Sequence, residues 1–288
     1  MTIKIVTDSS CDLGIDFVKK NNIEFVPLLL NLDGENIEDD LGKSLGYREF
    51  YDKLREGSMP STSQINIYTF EEKFRELLNE GYEILYLGLS SALSGTFNSA
   101  NMARNNILEE NPNAKISVVD SLSVSMGVGM LVKKSCDMIE EGKDLEYITT
   151  WIEENKNKVI HSILVDDLKH LKRGGRISAS TAAVGSLLNI KPILKIDNNG
   201  AVEATEKIKG KKKALKYLAT VVKEKALNIE SETLYIMHGD ALEEAQALKD
   251  IILQELNFKE IKIQYIGTVI GSHGGPGTIA TIFWGNER

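Results

Sequence analysis

The sequence holds few of the residues that make covalent or metal-held folds: two cysteines, four histidines and five prolines in 288 residues. Cys11 and Cys136 are far apart and in no metal or redox spacing, which argues against a disulfide framework and suits a reducing compartment. No H-E-x-x-H or paired-cysteine pattern occurs, so no metal site is expected. Positive charge is not in excess: the formal net charge is −8 and the pI about 5.2. Nucleic-acid binding needs a basic footprint and is not expected. No apolar run approaches the roughly 20 residues of a membrane span, so stable membrane insertion is not expected. Met1–Asp8 reads as a first core strand and not as a secretory signal, and we expect a cytoplasmic protein. No turn carries the lysine of a phosphate loop or a clean G-x-G-x-x-G, so no nucleotide cofactor is expected.

The chain is 42% hydrophobic and 26% charged, a globular composition, and long enough for two domains. Short apolar strands alternate with helical stretches through the first half. Strands are expected at Ile3–Thr7, Ile23–Asn31, Glu83–Leu89 and Lys115–Asp120. Helices are expected at Asp12–Asn21, Tyr47–Glu56, Tyr68–Glu80, Thr96–Glu110, Ser123–Glu141 and Leu145–Lys156. This alternation implies an α/β fold with a mainly parallel sheet and flanking helices. The second half reads as α+β. Val159–Val165 is a strand, Asn198-Asn-Gly200 turns a hairpin between Lys191–Asp197 and Ala201–Lys207, and Thr233–Met237 and Ile261–Val269 flank a helix at Ala241–Leu256. The expected domains are 1–158 and 159–277, with 278–288 able to return to the first and the ligand between them.

Hydroxyl-rich turns follow several strands: Thr7-Asp-Ser9-Ser10, Ser61-Thr62-Ser63-Gln64, Ser90 to Asn98, and Asp120-Ser121 onward. Hydroxyls and free backbone N–H groups at helix starts suit an anion, and ligands of parallel sheets sit beyond the carboxyl ends of the strands. The plainer reading makes Ser94 or Thr96 a helix cap and Pro60–Gln64 a turn. Ser94 as a nucleophile lacks a G-x-S-x-G elbow, and none of the four histidines is assignable as its base from sequence. His273 sits among four glycines in Gly271–Gly277, with little local packing to explain it. Arg173 and Arg176 flank Gly174-Gly175; they could grip a carboxylate or phosphate, or simply pair with Asp166 and Asp167. A basic run from Lys207 to Lys216 reads as a solvated helix face, and Asp240 as a helix N-cap.

Jointly, Thr7–Ser10, Ser61–Gln64, Leu89–Asn98, Val119–Ser121, Leu171–Ile177, Leu187–Leu194 and Ile270–Gly277 resemble the DegV family of bacterial proteins, in family order and over about residues 3–284. The resemblance implies a two-domain protein that binds one long-chain fatty acid, such as palmitate or oleate, in a tunnel between the domains, without catalysing a reaction. It implies that Thr62 and Ser94 hold the carboxylate, with His273 and Arg173 close by. Arg176 competes with Arg173 for that place. Ser9, Ser10, Ser63, Gly95, Thr96, Asn98 and Ser121 are further candidates. Some family members present the acid to a separate fatty acid kinase that forms an acyl phosphate. Two rival readings are a serine-dependent acyl hydrolase or transferase using Ser94 and His273, and a regulator that binds a phosphorylated metabolite at the helix-start turns.

Overall fold

A computed structural model describes residues 2–177 and 189–288. Leu187 and Leu188 of the Leu187–Leu194 motif lie outside the described residues. The described chain forms three sheets. The first has four parallel strands in the order β2-β1-β6-β7: β1 is Ile3–Asp8, β2 Glu24–Val26, β6 Glu83–Gly88 and β7 Ile116–Asp120. β1 and β6 bury apolar side chains on both faces, Ile5 and Leu85 on one and Val6 and Ile84 on the other, because helices cover both. On one face helices Ile67–Asn79 and Thr96–Glu110 pack Phe70, Phe74, Ala100 and Ala103 against Val6, Ile84 and Tyr86. On the other, helices Met126–Glu140 and Leu145–Asn155 pack against Ile5, Leu85 and Leu87.

The second sheet has six strands in the order β10-β9-β8-β13-β11-β12. These are β8 Val159–Leu164, β9 Ile190–Ile196, β10 Val202–Lys209, β11 Thr233–His238, β12 Glu260–Tyr265 and β13 Ile279–Trp284. β11 and β12 pair in parallel and the other neighbours pair antiparallel. Helices Lys211–Lys225 and Leu242–Leu253 cover one face through Ala214, Leu218, Ala245 and Leu248. The opposite face contributes Tyr235, Met237, Ala280 and Ile282 to the same apolar cluster as Leu85 and Leu87, so the two halves share a core.

Several expectations are corrected. Ile23–Asn31 is two strands: Pro27 separates β2 from β3, Leu29–Leu32. β3 lies in a third, antiparallel sheet with β4, Glu35–Glu38, and β5, Ser61–Ser63. Thus Ser61–Ser63 is a strand, not a turn, with Thr62 opposite Leu30. The following helix is capped by Asn66, whose Oδ1 accepts from Thr69 N at 3.0 Å. Ile261–Val269 ends early: Gly267 breaks it, and Thr268–Gly274 is helical. Residues 279–284 do not return to the first sheet; they form β13 between β8 and β11. Asp240 is not an N-cap. It takes φ 52° and receives Tyr265 Oη at 3.1 Å and an Arg55 ion pair. No helix among the described residues is long and apolar enough to cross a membrane.

Candidate functional site

A cavity of about 230 Å³ lies between the two halves of the chain. Its floor is one face of the six-stranded sheet. Alternation places His161 and Ile163 of β8 with Val165 just beyond it, Thr278 just before β13 with Ala280 and Ile282 within it, and Leu194 and Ile196 of β9 on that face. Its other wall comes from segments that follow the carboxyl ends of the parallel strands: Leu28 after β2, Leu89 and Leu93 after β6, and Val124 after β7. The site therefore lies where open parallel sheets place ligands. Ile266, Val269 and Ile270 complete a lining that is largely aliphatic.

Polar groups gather at one place on this lining. Thr62, Ser63, Gln64, Ser94, Gly95, Arg176 and His273 all line the cavity. Their positions follow from short local elements. β5 carries Thr62, the turn after β6 carries Ser94, and helix Thr268–Gly274 carries His273. Thr62 Oγ1 lies 2.9 Å from His273 Nε2. Ser94 Oγ lies 2.9 Å from Thr96 Oγ1 and accepts from Thr96 N at 3.3 Å. Burial, then the charges of Arg176 and Arg173, push His273 down to about 4, so its imidazole is neutral at neutral pH. Its Nδ1 is buried and has no hydrogen-bond partner among the described residues.

The two arginines stand in the reverse of the expected order. Arg176 is on the cavity wall; its Nε donates to Leu93 O at 2.9 Å and Nη1 to Gly174 O. Arg173 is not on the lining; it lies 3.3 Å from His170 Nδ1. Helix Lys169–Arg173 ends before the two glycines, and the turn beyond it aims Arg176 inward. Asp166 pairs instead with Lys191 at 2.6 Å and Lys211 at 3.6 Å, and Asp167 with Lys169 at 3.3 Å. Neither arginine meets a carboxylate among the described residues, so positive charge beside the cavity is left uncompensated.

Other candidates have internal roles. Ser9 and Ser10 are fully buried: Ser9 Oγ accepts from Leu28 N at 3.1 Å, and Ser10 bonds Asp8. Ser121 is buried and accepts from Ser123 N at 3.0 Å. Asn98 is exposed on its helix, and Thr96 supports Ser94 from behind. The turns do converge, but around two carboxylates of the chain itself. Asp8 accepts from Leu89 N at 2.9 Å, Tyr86 Oη at 3.0 Å and Ser10 N at 3.1 Å. Asp120 accepts from Ser91 N at 3.2 Å and Leu122 N at 3.0 Å. Turn donors expected to meet an anionic ligand are thus already engaged, which disfavours a phosphate site there.

Sequence reasoning missed Gln64, Ser125 and His161 on the lining. The alternation of β8 could have found His161, which faces away from Ile160 and Ser162. Among the described residues no group of three or more His, Cys, Asp or Glu could hold a metal ion.

Comparison with known proteins agrees over the whole chain. The family model of the DegV family, described as uncharacterised proteins, matches residues 2–285. A DegV domain-containing protein of Clostridium perfringens is 45% identical over 284 residues, covering 99% of this chain and 98% of that one. A Thermus thermophilus structure described as fatty acid binding of a DegV family protein superposes with a TM-score of 0.89 at 34% identity, covering 99% of this chain and 100% of that one. A DegV family protein of Eubacterium eligens loaded with heptadecanoic acid superposes at 0.84 and 27% identity, covering 99% and 100%. The fold, the order of the motifs and these matches place the chain in the DegV family.

Proposed function

We propose that this protein binds one long-chain fatty acid in the cavity between its two halves, with the carboxylate among Thr62, Ser94, His273 and Arg176. The observation that carries the reading is the pairing of an aliphatic cavity with an uncompensated guanidinium and neutral donors gathered at one place on its wall. A buried carboxylate is costly unless hydrogen-bonded, and this group of donors meets that need. The tail supplies most of the affinity. At about 0.8 kcal/mol per buried CH₂, roughly 14 methylenes give on the order of 11 kcal/mol before ordering costs. The fatty acid binding described for the Thermus relative and the heptadecanoic acid of the Eubacterium relative support the same ligand class.

The protein acts as a carrier and not as an enzyme. The family resemblance implies the next step: a separate partner kinase, to which the carrier presents the carboxylate, converts the acid to an acyl phosphate. Hydrolase chemistry at Ser94 is less well supported, because its hydroxyl faces Thr96 while the His273 imidazole faces Thr62.

Native mass spectrometry followed by solvent extraction tests the reading. The expected result is a removable mass matching a C14–C18 fatty acid. An adduct that survives denaturation would instead indicate an acyl-enzyme. Absence of an adduct, with no uptake of added palmitate or oleate, would overturn the assignment. Incubation of the loaded protein with a fatty acid kinase and ATP tests the carrier role, the expected product being an acyl phosphate.

A further inference from the structure

The six-stranded sheet is split at one place. β8 and β9 pair only through Ile163 with Leu194 and Leu164 with Ile193. Earlier in β8, residues 159–162 pair on one side alone, with β13. At the end of β9, Ile196 pairs with β10 and not with β8. A second cavity of about 200 Å³ opens at this split, between the sheet and helix Lys211–Lys225. It is lined by Ile160, Ile193, Tyr217 and Val221, with Lys195 and Arg288 among its polar groups. His161, Leu194 and Ile196 line both this cavity and the first one, so the two adjoin across the sheet.

Arg288 spans the split. Its Nε donates to Val159 O at 3.0 Å on the β8 side, and its Nη1 to Asp197 O at 3.0 Å just beyond β9. Nη1 also meets Leu122 O, while Nη2 donates to Ser123 Oγ at 2.7 Å and Lys156 O at 3.2 Å. One guanidinium therefore ties both strand ends to the loop after β7. Burial pulls it down to about 10, which leaves it charged at neutral pH.

We propose that the second cavity is a tail-end annex of the lipid cavity, and that Arg288 is the clamp that sets the longest acyl chain admitted. The inference rests on the fatty-acid reading above. Val165, beside the arginine turn, and His161, at the split, are four residues apart on one strand and so about 13 Å apart. With C–C bonds near 1.5 Å, an extended chain advances about 1.25 Å per methylene, so roughly ten methylenes cover that distance. The methyl ends of longer acids arrive at the split. Each further methylene that finds an apolar place strengthens binding about fourfold.

The test is competitive native mass spectrometry of the full chain with dodecanoic, hexadecanoic and docosanoic acids. Val221→Trp fills the annex from the covering helix, away from the first cavity. The expected result is that dodecanoic acid, whose ten methylenes end at the split, keeps its affinity within about twofold while hexadecanoic acid is weakened by about tenfold or more. Arg288→Ala releases the clamp and is expected to raise docosanoic acid relative to hexadecanoic acid by about tenfold. If both variants bind dodecanoic acid and neither changes the chain-length preference, the annex proposal is overturned while the fatty-acid reading stands. If the unaltered protein takes up none of the three acids, both fall.

Discussion

His273 Nε2 lies 2.9 Å from Thr62 Oγ1, joining a helix of the second half of the chain to the edge strand β5 of the small antiparallel sheet in the first half. In the Nε2–H tautomer the ring donates to Thr62 Oγ1, which leaves the Thr62 hydroxyl proton for a ligand oxygen. Hydrogen bonds to charged groups contribute about 1.5–3 kcal/mol each. Thr62→Ala, Ser94→Ala and His273→Ala should therefore each weaken palmitate binding by roughly tenfold to a hundredfold, with far-ultraviolet circular dichroism unchanged. Unaltered affinity in all three would remove the head-group assignment.

The arginines separate by position. Arg176 lines the cavity, whereas Arg173 turns to His170. Arg176→Ala should cost about tenfold or more in palmitate affinity, and Arg173→Ala no more than about threefold, the scale of a charge acting at a distance through partial screening. Fluorescence displacement titrations on the two variants decide between them; equal losses would return Arg173 to the site.

Gly174 holds the imidazole in place by having no side chain. A Cβ there would stand 2.2 Å from His273 Nδ1 and 3.3 Å from His170 O. Gly174→Ala should displace the ring from Thr62, since the imidazole is the nearest group the new Cβ meets. We expect fatty-acid binding to fall about as far as in His273→Ala, with a change in thermal stability of order 1 kcal/mol. A variant that binds palmitate normally would show that the ring's placement is immaterial.

Much of this arrangement is readable in the sequence, for specific reasons. The apolar runs of β1 and β6 announce a covered parallel sheet, and Thr62, Ser94 and His273 stand in recognisable motifs. What escapes is either polar or weakly helical. β4 and β5 read Glu35–Glu38 and Ser61–Ser63, too short and too polar for any apolar alternation to mark. Helix Thr268–Gly274 contains two glycines, poor helix formers, so its propensity predicts no helix. Tertiary contacts hold it: Asp12 Oδ1 accepts from Gly267 N at 3.0 Å across 255 residues. The same kind of long-range bond misled the reading of the hydroxyl-rich turns. Free N–H groups look available in the sequence because Asp8 and Asp120 take them up only once three strand ends meet. The order of Arg173 and Arg176 depends on where a five-residue helix stops, a boundary that local propensity does not fix.

That bond from Asp12 also gives the fold a pH dependence with a definite sign. Burial first, and then nearby Asp39 and Asp8, raise Asp12 from 3.8 to about 8, against its bonds to Ser125 and Gly267. Between those values the folded state keeps a proton that the unfolded state has lost. Stability from this group is therefore fully present below about pH 4 and is lost as pH rises through about 8. His273 and His161 act oppositely. Burial lowers them from 6.5 to about 4 and about 3, so their contribution is full above 6.5 and is lost as pH falls. The opposing effects overlap below pH 6.5. From 6.5 to 8, of these groups only Asp12 still changes its proton count strongly. Unfolding free energy should fall there by on the order of 1–2 kcal/mol, a drop of a few degrees in Tm. Asp12→Asn keeps a carbonyl to receive Gly267 N and removes the proton, so its Tm should be flat over the same window. Calorimetry at closely spaced pH values reads both curves. A wild-type Tm that stays level from pH 6.5 to 8, or a slope that survives in Asp12→Asn, would mean that another group carries the proton.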